Sequence, residues 1–323
     1  MNCASSHDSS VFTSRVAAVQ VDKLNCVGRL IVNADDFGLT SGVNRAIVEL
    51  HASGLVTSTS LMARAGATEE AIELARATPS LGVGCHVVLV DGDPVLPPEQ
   101  IPSLVDRRTG QFLHSLTAFL LRLFTGRIRV EEIEAEAGAQ IAHLKCRGVH
   151  LTHIDTHKHA HIFPAVLRPV LRAARAAGVR AVRHPFEPGW AVRSALGAPL
   201  ARVAQVAALS SLAPRSRQIL IQEGFTSSDG TIAVAGTGSL DAPTLRSLLR
   251  QLPAGTWELV THPGYNDADL ARVRTRLRAS RDHERVALAT IREFPGIKMI
   301  SFADLAPMVA QTADDELLKR ACP

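Results

Sequence analysis

The sequence predicts an α/β protein whose strands and helices form a (β/α) barrel. Short apolar runs rich in β-branched residues alternate with alanine- and leucine-rich stretches of helical periodicity. About eight apolar runs separated by helices indicate a parallel sheet, and 323 residues suffice for one barrel with insertions. A doubly wound open sheet is the competing architecture, but no G-x-G-x-x-G turn follows the first apolar run.

Each element is predicted from the spacing of its apolar residues. Strands are predicted at residues 29–34, 56–63, 82–90, 149–155, 180–184, 218–222, 257–262 and 298–302. Helices are predicted at residues 41–53, 68–78, 113–125, 130–146, 164–177, 242–251 and 270–293. Together they predict a single barrel domain over residues 29–310, between an N-terminal extension (1–28) that is expected to be disordered and a C-terminal tail (311–323).

Two segments interrupt this alternation of strands and helices. Residues 90–110 are rich in proline and aspartate and are predicted to form an inserted loop that covers the active site. Residues 190–215 are rich in alanine, leucine and valine and are predicted to form a helical insertion packed on the barrel. The alternative for this insertion is an amphipathic helix that lines an apolar substrate channel or contacts a membrane surface.

The composition is that of a soluble enzyme, with 46% hydrophobic and 20% charged residues and a formal net charge of +4. Much of the basic charge lies in one stretch that contains Arg272, Arg274, Arg276, Arg278, Arg281 and Arg285. We interpret these arginines as a solvated helix face, with a contact to phosphate, anionic lipid or sugar as the alternative. No aromatic residue lies among them, so nucleic-acid binding is not expected.

The cysteine pattern predicts a cytoplasmic protein. Five cysteines are scattered without a C-x-x-C pair, which indicates reduced thiols and argues against a zinc ribbon or a disulfide scaffold. The first 28 residues lack a basic start followed by an apolar core, so no secretory signal is predicted. No window reaches the roughly 18 apolar residues that a membrane-spanning helix needs.

The first predicted strand ends in two adjacent carboxylates, Asp35 and Asp36. Neighbouring side chains on a strand point to opposite faces, so both can serve one site only where the strand ends. Gly38 supplies the turn that such an ending requires. The pair is therefore predicted to face a cleft at the carboxyl end of the sheet.

Histidines follow several of the other predicted strands. His86, His184 and His262 each lie at the end of an apolar run, and a histidine-rich run occupies residues 150–161. If the strand continues through that run, its alternate residues share one face; they are His153, Asp155, His157, His159 and His161. A metal site with hydrogen-bonded supporting residues accounts for them, whereas a surface histidine tract is the alternative.

One aspartate and two histidines leave open coordination positions, which is typical of a catalytic metal site. A second carboxylate beside the metal can accept a proton from water, and a further histidine can protonate the leaving group. The chain has residues for all of these roles, so the pattern predicts metal-assisted hydrolysis. The bond that is cleaved stays open at this level.

Four motifs together resemble the YdjC/ChbG family of carbohydrate deacetylases: NADDFG at 33–38, G-x-H at 84–86, H-x-D-T-H-x-H-x-H at 153–161 and THPGY at 261–265. The resemblance covers nearly the whole chain from residue 29 to about residue 305. It implies a distorted (β/α) barrel similar to the NodB-type deacetylases and one divalent metal ion, with Zn²⁺ or Mg²⁺ favoured. It also implies hydrolytic removal of an acetyl group from an N-acetylated amino sugar.

The same resemblance implies roles for individual residues. The implied metal ligands are Asp36, His86 and His157. Asp35 is implied as the general base, His262 as the general acid, and Arg183 as the residue that keeps Asp35 ionised. The residues expected to support the ligands or to contact the sugar are His153, Asp155, His159 and His161. Lys158 departs from the pattern of relatives that carry histidine there, but it lies beside a ligand rather than at one.

Two segments, 88–106 and 181–188, are similar to the hopanoid-biosynthesis-associated branch of the family, HpnK. This similarity implies a lipid-linked substrate, N-acetylglucosaminyl hopanoid, and contact of a cytoplasmic protein with the inner membrane surface. The alternatives are a deacetylase of chitooligosaccharides such as diacetylchitobiose, another metal-dependent hydrolase such as a phosphoesterase, and a non-enzymatic metal-binding protein. The sequence leaves the oligomeric state open.

Overall fold

The computed structural model describes residues 28–194, 198–291 and 296–305. Its strands are β1 (Gly28–Phe37), β2 (Ser58–Leu61), β3 (Gly82–Val87), β4 (Leu151–Thr156), β5 (Gly230–Ile232), β6 (Gly255–Thr261) and β7 (Ile297–Met299). Its helices are α1 (Ser41–Ala52), α2 (Thr68–Ala77), α3 (Leu116–Phe124), α4 (Val130–Cys146), α5 (Pro164–Ala176), α6 (Gly189–Ser194), α7 (Leu200–Leu209), α8 (Ala213–Glu223), α9 (Ala242–Arg250), α10 (Ala268–Arg272) and α11 (Arg278–Ala289).

The described strands form one parallel sheet in the order β4-β3-β2-β1-β6-β5, and β7 pairs with the first residues of β1. The sheet curls, and the segment 181–187 bridges its two outer strands through isolated hydrogen bonds. On one side, Ile154 N donates to Ala181 O at 3.0 Å; on the other, Thr231 N donates to Phe186 O at 3.1 Å. The predicted α/β barrel is therefore confirmed in a distorted form.

Alternation along the strands separates an outer apolar layer from a polar interior. In β1, Leu30 and Val32 pack in the main hydrophobic cluster, whereas Ile31 contacts a small inner cluster that includes Phe302. Asn33 lies on the same inner side as Ile31 and is fully buried, with its Nδ2 donating to Ser60 Oγ at 2.9 Å. The carboxyl ends of the strands therefore deliver polar side chains into the barrel.

Three predicted elements differ from the structure. Residues 218–222 lie within α8, which begins at Ala213-Pro214 and ends at Gly224 with a left-handed φ of 72°, so these start and stop signals outweigh the short apolar run. Residues 180–184 make single bridges instead of a ladder, whereas the unpredicted β5 pairs with β6. The predicted helix 270–293 is divided into α10 and α11 around Val273 and Thr275, whose β-branched side chains disfavour helix.

The long loop expected at 90–110 holds neither a helix nor a strand between residues 88 and 115, a stretch that is described throughout. It is packed tightly, because Ile101, Leu104 and Phe112 are buried in the main cluster. Its backbone is fixed by buried acids of α4. Glu136, for example, accepts from Val95 N at 2.8 Å and from Leu96 N at 3.0 Å.

In the segment 190–215 the described residues form α6, α7 and the start of α8 rather than one helix. Leu200 is 86% exposed, whereas Val206 packs with Val192 and Val234. The predicted N-terminal extension, apart from Gly28, and the predicted tail lie outside the described residues. Within the described part of the chain, no helix combines the length and apolarity needed to cross a membrane.

The expectation of reduced cysteines holds at one described position and not at another. Cys85 is a free thiol buried in β3, and burial raises its pKa well above the usual range. Cys146 at the end of α4 is bonded in a disulfide. The expectation is therefore wrong at Cys146, and the cysteines carry no argument about the cellular compartment.

Candidate active site

Both carboxylates of the first strand reach one site because β1 is irregular there. The strand continues to Phe37 instead of ending before the pair, and its register with β2 shifts between Ala34 and Phe37. Asp36 adopts a left-handed φ of 67°, which turns its side chain to the side that Asp35 already faces. The expected strand end is therefore replaced by a bulge with the same consequence.

The turn after β1 requires a glycine, and side-chain oxygens accept hydrogen bonds from its backbone. Gly38 has a φ of 93°, and a Cβ there would lie 3.2 Å from the backbone of Thr68, so only glycine fits without strain. Gly38 N donates to Asn44 Oδ1 at 2.7 Å. Thr40 then caps α1, with its side chain accepting from Val43 N at 3.2 Å.

Asp36, His86 and His157, which we call the metal triad, bring one ligand atom each to a common point. Asp36 Oδ1 lies 3.4 Å from His86 Nε2 and 3.2 Å from His157 Nδ1, and the two nitrogens are 3.3 Å apart. A tetrahedral ion with bonds of about 2.0–2.1 Å holds its ligand atoms about 3.3–3.4 Å apart. The triangle therefore fits a divalent metal ion.

Two further observations agree with this fit. Asp36 Oδ1 is buried and has no hydrogen-bond partner among the described residues, although a buried carboxylate oxygen normally finds one. Carboxyl groups also outnumber guanidinium groups around the site. Two buried guanidinium groups, Arg183 and Arg281, face five buried carboxyl groups: Asp35, Asp36, Asp155, Glu258 and Glu284. A bound divalent cation would reduce this imbalance.

The ionisation of the triad follows from its neighbours. Burial acts to raise the pKa of Asp36, but Arg281 and the two histidines hold it well below its usual range. Burial acts to lower the pKa of His86, but Asp155 and Asp36 raise it to about 10. Without a metal, His86 therefore carries a proton that a metal ion must displace.

Asp155 on β4 fixes the orientation of His86. Its Oδ1 lies 2.9 Å from His86 Nδ1, which leaves Nε2 directed toward Asp36. A carboxylate behind a ligating histidine sets the tautomer and increases the basicity of the ligand. Asp155 therefore acts on the metal triad through His86.

Arg183 pairs with Asp35, Asp155 and Glu258, and we call these four residues the arginine network. The Nη1 atom of Arg183 donates to Asp35 Oδ2 at 2.8 Å, and its Nη2 atom donates to Asp35 Oδ1 at 2.6 Å. The Nε atom of Arg183 donates to Glu258 Oε1 at 2.7 Å. Burial acts to raise the pKa of Asp35, but Arg183 lowers it below its usual value. Asp35 is therefore ionised at neutral pH.

His262 follows β6 and lies between two carboxylates. Its Nε2 is 3.8 Å from Asp35 Oδ2, and its Nδ1 is 3.9 Å from Glu284 Oε2. The backbone N of His262 donates to the same Glu284 oxygen at 2.6 Å. Glu284, which belongs to α11, therefore fixes the position of His262 beside Asp35.

The histidine-rich run does not continue as a strand, so the prediction that its alternate residues share one face is wrong. β4 ends at Thr156, and Lys158 and His159 adopt φ values of 57° and 53° within a short 3-10 helix. His157 reaches the metal triad because the chain turns there. Lys158 Nζ instead donates to Asp91 Oδ2 at 2.7 Å, which ties the long loop to this turn.

Two of the remaining histidines of the run, His153 and His161, are buried against protein partners. His153 is fully buried and stacks on Phe302 at 3.9 Å between ring centroids, and burial lowers its pKa to about 3. His161 is also fully buried, lies 2.6 Å from Thr156 Oγ1, and has its pKa lowered by burial to about 4. His159 is half-buried, and its Nδ1 has no partner among the described residues. Burial favours a supporting role for His153, Asp155 and His161 over contact with a sugar.

Three residues around the site were not predicted from the sequence: Glu258, Arg281 and Glu284. Arg281 lies in the arginine-rich stretch that was interpreted as solvated, yet it is 1% exposed and pairs with Asp36 Oδ2. Arg281 and Glu284 are one helical turn apart on α11 and both are buried. This i, i+3 spacing was readable in the sequence, but nothing in it indicated which face is buried.

The chain is similar to proteins of one family over most of its length. Residues 29–292 match the family described as YdjC-like protein. The chain is similar to a carbohydrate deacetylase of Thermoanaerobacter pseudethanolicus, at 31% identity over 80% of this chain and 90% of that protein. A mouse carbohydrate deacetylase is 33% identical over 73% of this chain and 78% of its own length. A Brevibacillus brevis relative of the same name is 44% identical, but the match spans 49% of this chain and 60% of that protein.

The fold is also similar to a solved structure. A protein of Enterococcus faecalis V583, named as a candidate cellobiose-phosphate cleavage protein, superposes with a TM-score of 0.68 at 27% identity. The superposition covers 87% of this chain and all of that chain. With a family match across most of its length and relatives of similar size, the chain belongs to the YdjC-like protein family.

Proposed function

We propose that this protein is a metal-dependent carbohydrate N-deacetylase, which hydrolyses the acetamide of an N-acetylated amino sugar and releases acetate. The observation that carries the proposal is the metal triad lying directly beside the ionised Asp35 and His262. The relatives named carbohydrate deacetylase support an acetylated sugar as the substrate. The two histidines and one carboxylate of the triad leave positions for water and substrate.

Zn²⁺ is the ion that we propose for the triad. The distances of 3.2–3.4 Å between its ligand atoms support tetrahedral coordination. Octahedral Mg²⁺ with bonds of about 2.0–2.1 Å would bring neighbouring ligand atoms to about 2.9 Å, and it prefers oxygen ligands. Imidazole ligands also suit Zn²⁺ better than Mg²⁺.

The residues of the chain have separate tasks in this mechanism. A divalent ion in the triad supplies Lewis-acid polarisation of a carbonyl oxygen and a lowered pKa of water. Asp35 accepts the proton of the attacking water, because Arg183 keeps it ionised and hydrogen-bonded. His262 donates a proton to the departing amine, and its separation of 3.8 Å from Asp35 lets both groups address one reacting bond.

The arginine network argues against a two-metal phosphoesterase. A second group with ligand-like spacing exists, formed by Asp35, His86 and Asp155. Both of its carboxylates already pair with the Arg183 guanidinium, which occupies the place of a second cation. The pairing therefore supports one metal per chain.

We propose further that the sugar is linked to a lipid, as in N-acetylglucosaminyl hopanoid, and that the protein acts in the cytoplasm at the inner membrane surface. Exposed apolar side chains support this choice. Leu121 and Phe124 on α3 are 62% and 67% exposed, and Leu200 on α7 is 86% exposed. Diacetylchitobiose is the competing substrate.

The deacetylase proposal is tested with two amide variants and a measurement of both bound metal and released acetate. Asp35→Asn should keep its metal and lose acetate release by about 10²–10⁴-fold, because only the proton acceptor is removed. Asp36→Asn should lose the metal itself. A protein that only binds metal would release no acetate even as wild type. Undiminished acetate release by Asp35→Asn would overturn the mechanism.

The substrate is tested by comparing acetate release from N-acetylglucosaminyl hopanoid in vesicles with release from diacetylchitobiose. The lipid-linked proposal expects the higher kcat/KM with the hopanoid. A preference for diacetylchitobiose would contradict the lipid linkage while leaving the deacetylase chemistry intact. Vesicles without the hopanoid serve as the control for surface binding alone.

A further inference from the structure

Arg281 is a buried cation that the mechanism does not use. It lies on α11, is 1% exposed, and pairs through Nη2 with Asp36 Oδ2. That bond is the one hydrogen bond of its guanidinium group among the described residues, because Nε and Nη1 have no partner there. A buried arginine that served packing alone would be expected to satisfy its donors.

The two oxygens of Asp36 are divided between different partners. Oδ2 pairs with Arg281, whereas Oδ1 faces His86 Nε2 at 3.4 Å and His157 Nδ1 at 3.2 Å. Asp36 also adopts a left-handed φ of 67°. Its backbone is therefore constrained, and its Oδ2 is constrained by the pair with Arg281. The carboxylate consequently cannot rotate to offer both oxygens to the same ion without breaking the pair with Arg281.

We propose that Arg281 is a positioning residue for the metal: by binding Oδ2 of Asp36, it presents Oδ1 alone to the ion beside the two histidines. The inference rests on the metal triad of the proposed function. A one-oxygen carboxylate ligand keeps a further coordination position open for water or substrate. A buried ion pair contributes little net stability, so its presence at a ligand supports a role in orienting that ligand.

The surroundings of Arg281 hold its stem in place. Gly264 packs against it so closely that a Cβ at that position would lie 3.2 Å from Arg281 Cδ. Gly264 N also donates to Arg281 O at 3.2 Å. The turn after His262 thus packs on Arg281, the residue that binds Asp36. This packing links His262 to the metal triad.

The test compares Co²⁺ binding by metal-free wild type, Arg281→Met and Arg278→Met. Arg278 is a matched control, since it is an exposed arginine one turn earlier on α11. Its guanidinium group donates a hydrogen bond to Ala271 O and not to Asp36. Arg281→Met should bind Co²⁺ at least tenfold more weakly than Arg278→Met, in the range usual for lost ligand support. The visible Co²⁺ spectrum should also change, because a freed carboxylate can bind through both oxygens.

Several outcomes would decide the matter. A Co²⁺ affinity for Arg281→Met within tenfold of the Arg278→Met value, or an unchanged spectrum, overturns the proposal. If circular dichroism shows that Arg281→Met does not fold, Arg281→Gln is judged against the same threshold and spectrum. If wild type itself binds no Co²⁺, the metal triad of the proposed function fails, which is distinguishable from a failure at Arg281 alone.

Discussion

At the scale of single residues, the site depends on giving chemically identical groups different partners. Asp35 and Asp36 are adjacent carboxylates, yet Arg183 takes both oxygens of the first, whereas Arg281 takes one oxygen of the second. The free oxygen of Asp36 is then available to a metal ion, and Asp35, the proton acceptor that we propose, stays ionised. Neighbouring guanidinium groups, rather than the aspartates themselves, therefore separate the two roles.

The ionisation of His86 leads to a prediction about metal binding. Its pKa of about 10 in the metal-free protein means that it is protonated at pH 7, whereas a ligating imidazole must be neutral. Binding at pH 7 should therefore release about one proton, and the affinity should rise about tenfold per pH unit toward the pKa. Calorimetry in two buffers of different ionisation enthalpy measures the number of protons released.

Asp155→Asn provides the control for this prediction. It removes the carboxylate 2.9 Å from His86 Nδ1, so the pKa of His86 should fall and fewer protons should be released. The metal affinity should also fall by about 10–100-fold, because the ligand loses its orienting partner. Equal proton release by both proteins would show that His86 is not the source.

At the scale of elements, a buried imidazole of β4 lies over β3 because the β3 residue beside it has no side chain. A Cβ at Gly84 would lie 2.4 Å from His153 Nε2, so the buried imidazole occupies the space above the strand. His153 in turn stacks on Phe302 near the chain's last described turn. This packing holds the His153 ring between Gly84 and Phe302, beside the strands that carry His86 and Asp155.

Gly84→Ala should therefore destabilise the protein by about 1–3 kcal/mol, the usual effect of overpacking a core. Gly138→Ala is the matched control, since Gly138 lies inside α4 with nothing within 4 Å of an added Cβ. That variant should stabilise by about 0.5–1 kcal/mol, because alanine favours helix. Urea unfolding of both variants measures the difference, and equal effects would contradict this account of Gly84.

At the scale of the whole molecule, the barrel is closed by charge as well as by backbone pairing. The segment 181–187 bridges the outer strands through isolated hydrogen bonds, and Arg183 within it contacts carboxylates of β1, β4 and β6. Three carboxyl groups share this single cation. The interior therefore holds more acid than its arginines neutralise, and its stability should depend on pH.

Glu258 contributes to this pH dependence. Burial raises its pKa to about 7 despite the opposing effect of Arg183, so the folded state favours the protonated form. The pKa of Glu258 in the folded state is therefore higher than its pKa of about 4.3 in the unfolded state. Below about pH 4.3 this difference stabilises the fold in full. This stabilisation is lost progressively as the pH rises from there through 7, and it amounts to about 4 kcal/mol.

Glu258→Gln should therefore have a flatter pH dependence of unfolding free energy than wild type between pH 5 and pH 8. Its stability relative to wild type should rise with pH, because glutamine stays neutral. Urea unfolding of both proteins in chelator measures this without metal. Parallel pH curves would exclude Glu258 as the titrating group.

Much of the site could be predicted from the sequence because its residues lie at strand ends. The run before Asp35 and the position of His262 after an apolar strand indicated the edge at which they meet, since parallel strands share one carboxyl end. The supporting residues were harder to predict. Arg281 and Glu284 lie on a helix whose charged sequence is typical of a solvated face.

The sequence by itself determined the alternation of elements, the barrel class and the polar residues at its carboxyl edge, because local periodicity and burial set these. Only the tertiary structure decided which of these residues meet at that edge and in what orientation. Asp36 turns inward through a bulge at φ 67°, and His157 reaches the triad after the strand has ended. These contacts join residues far apart in sequence. The local spacing of residues does not indicate which charged groups meet once the chain is folded.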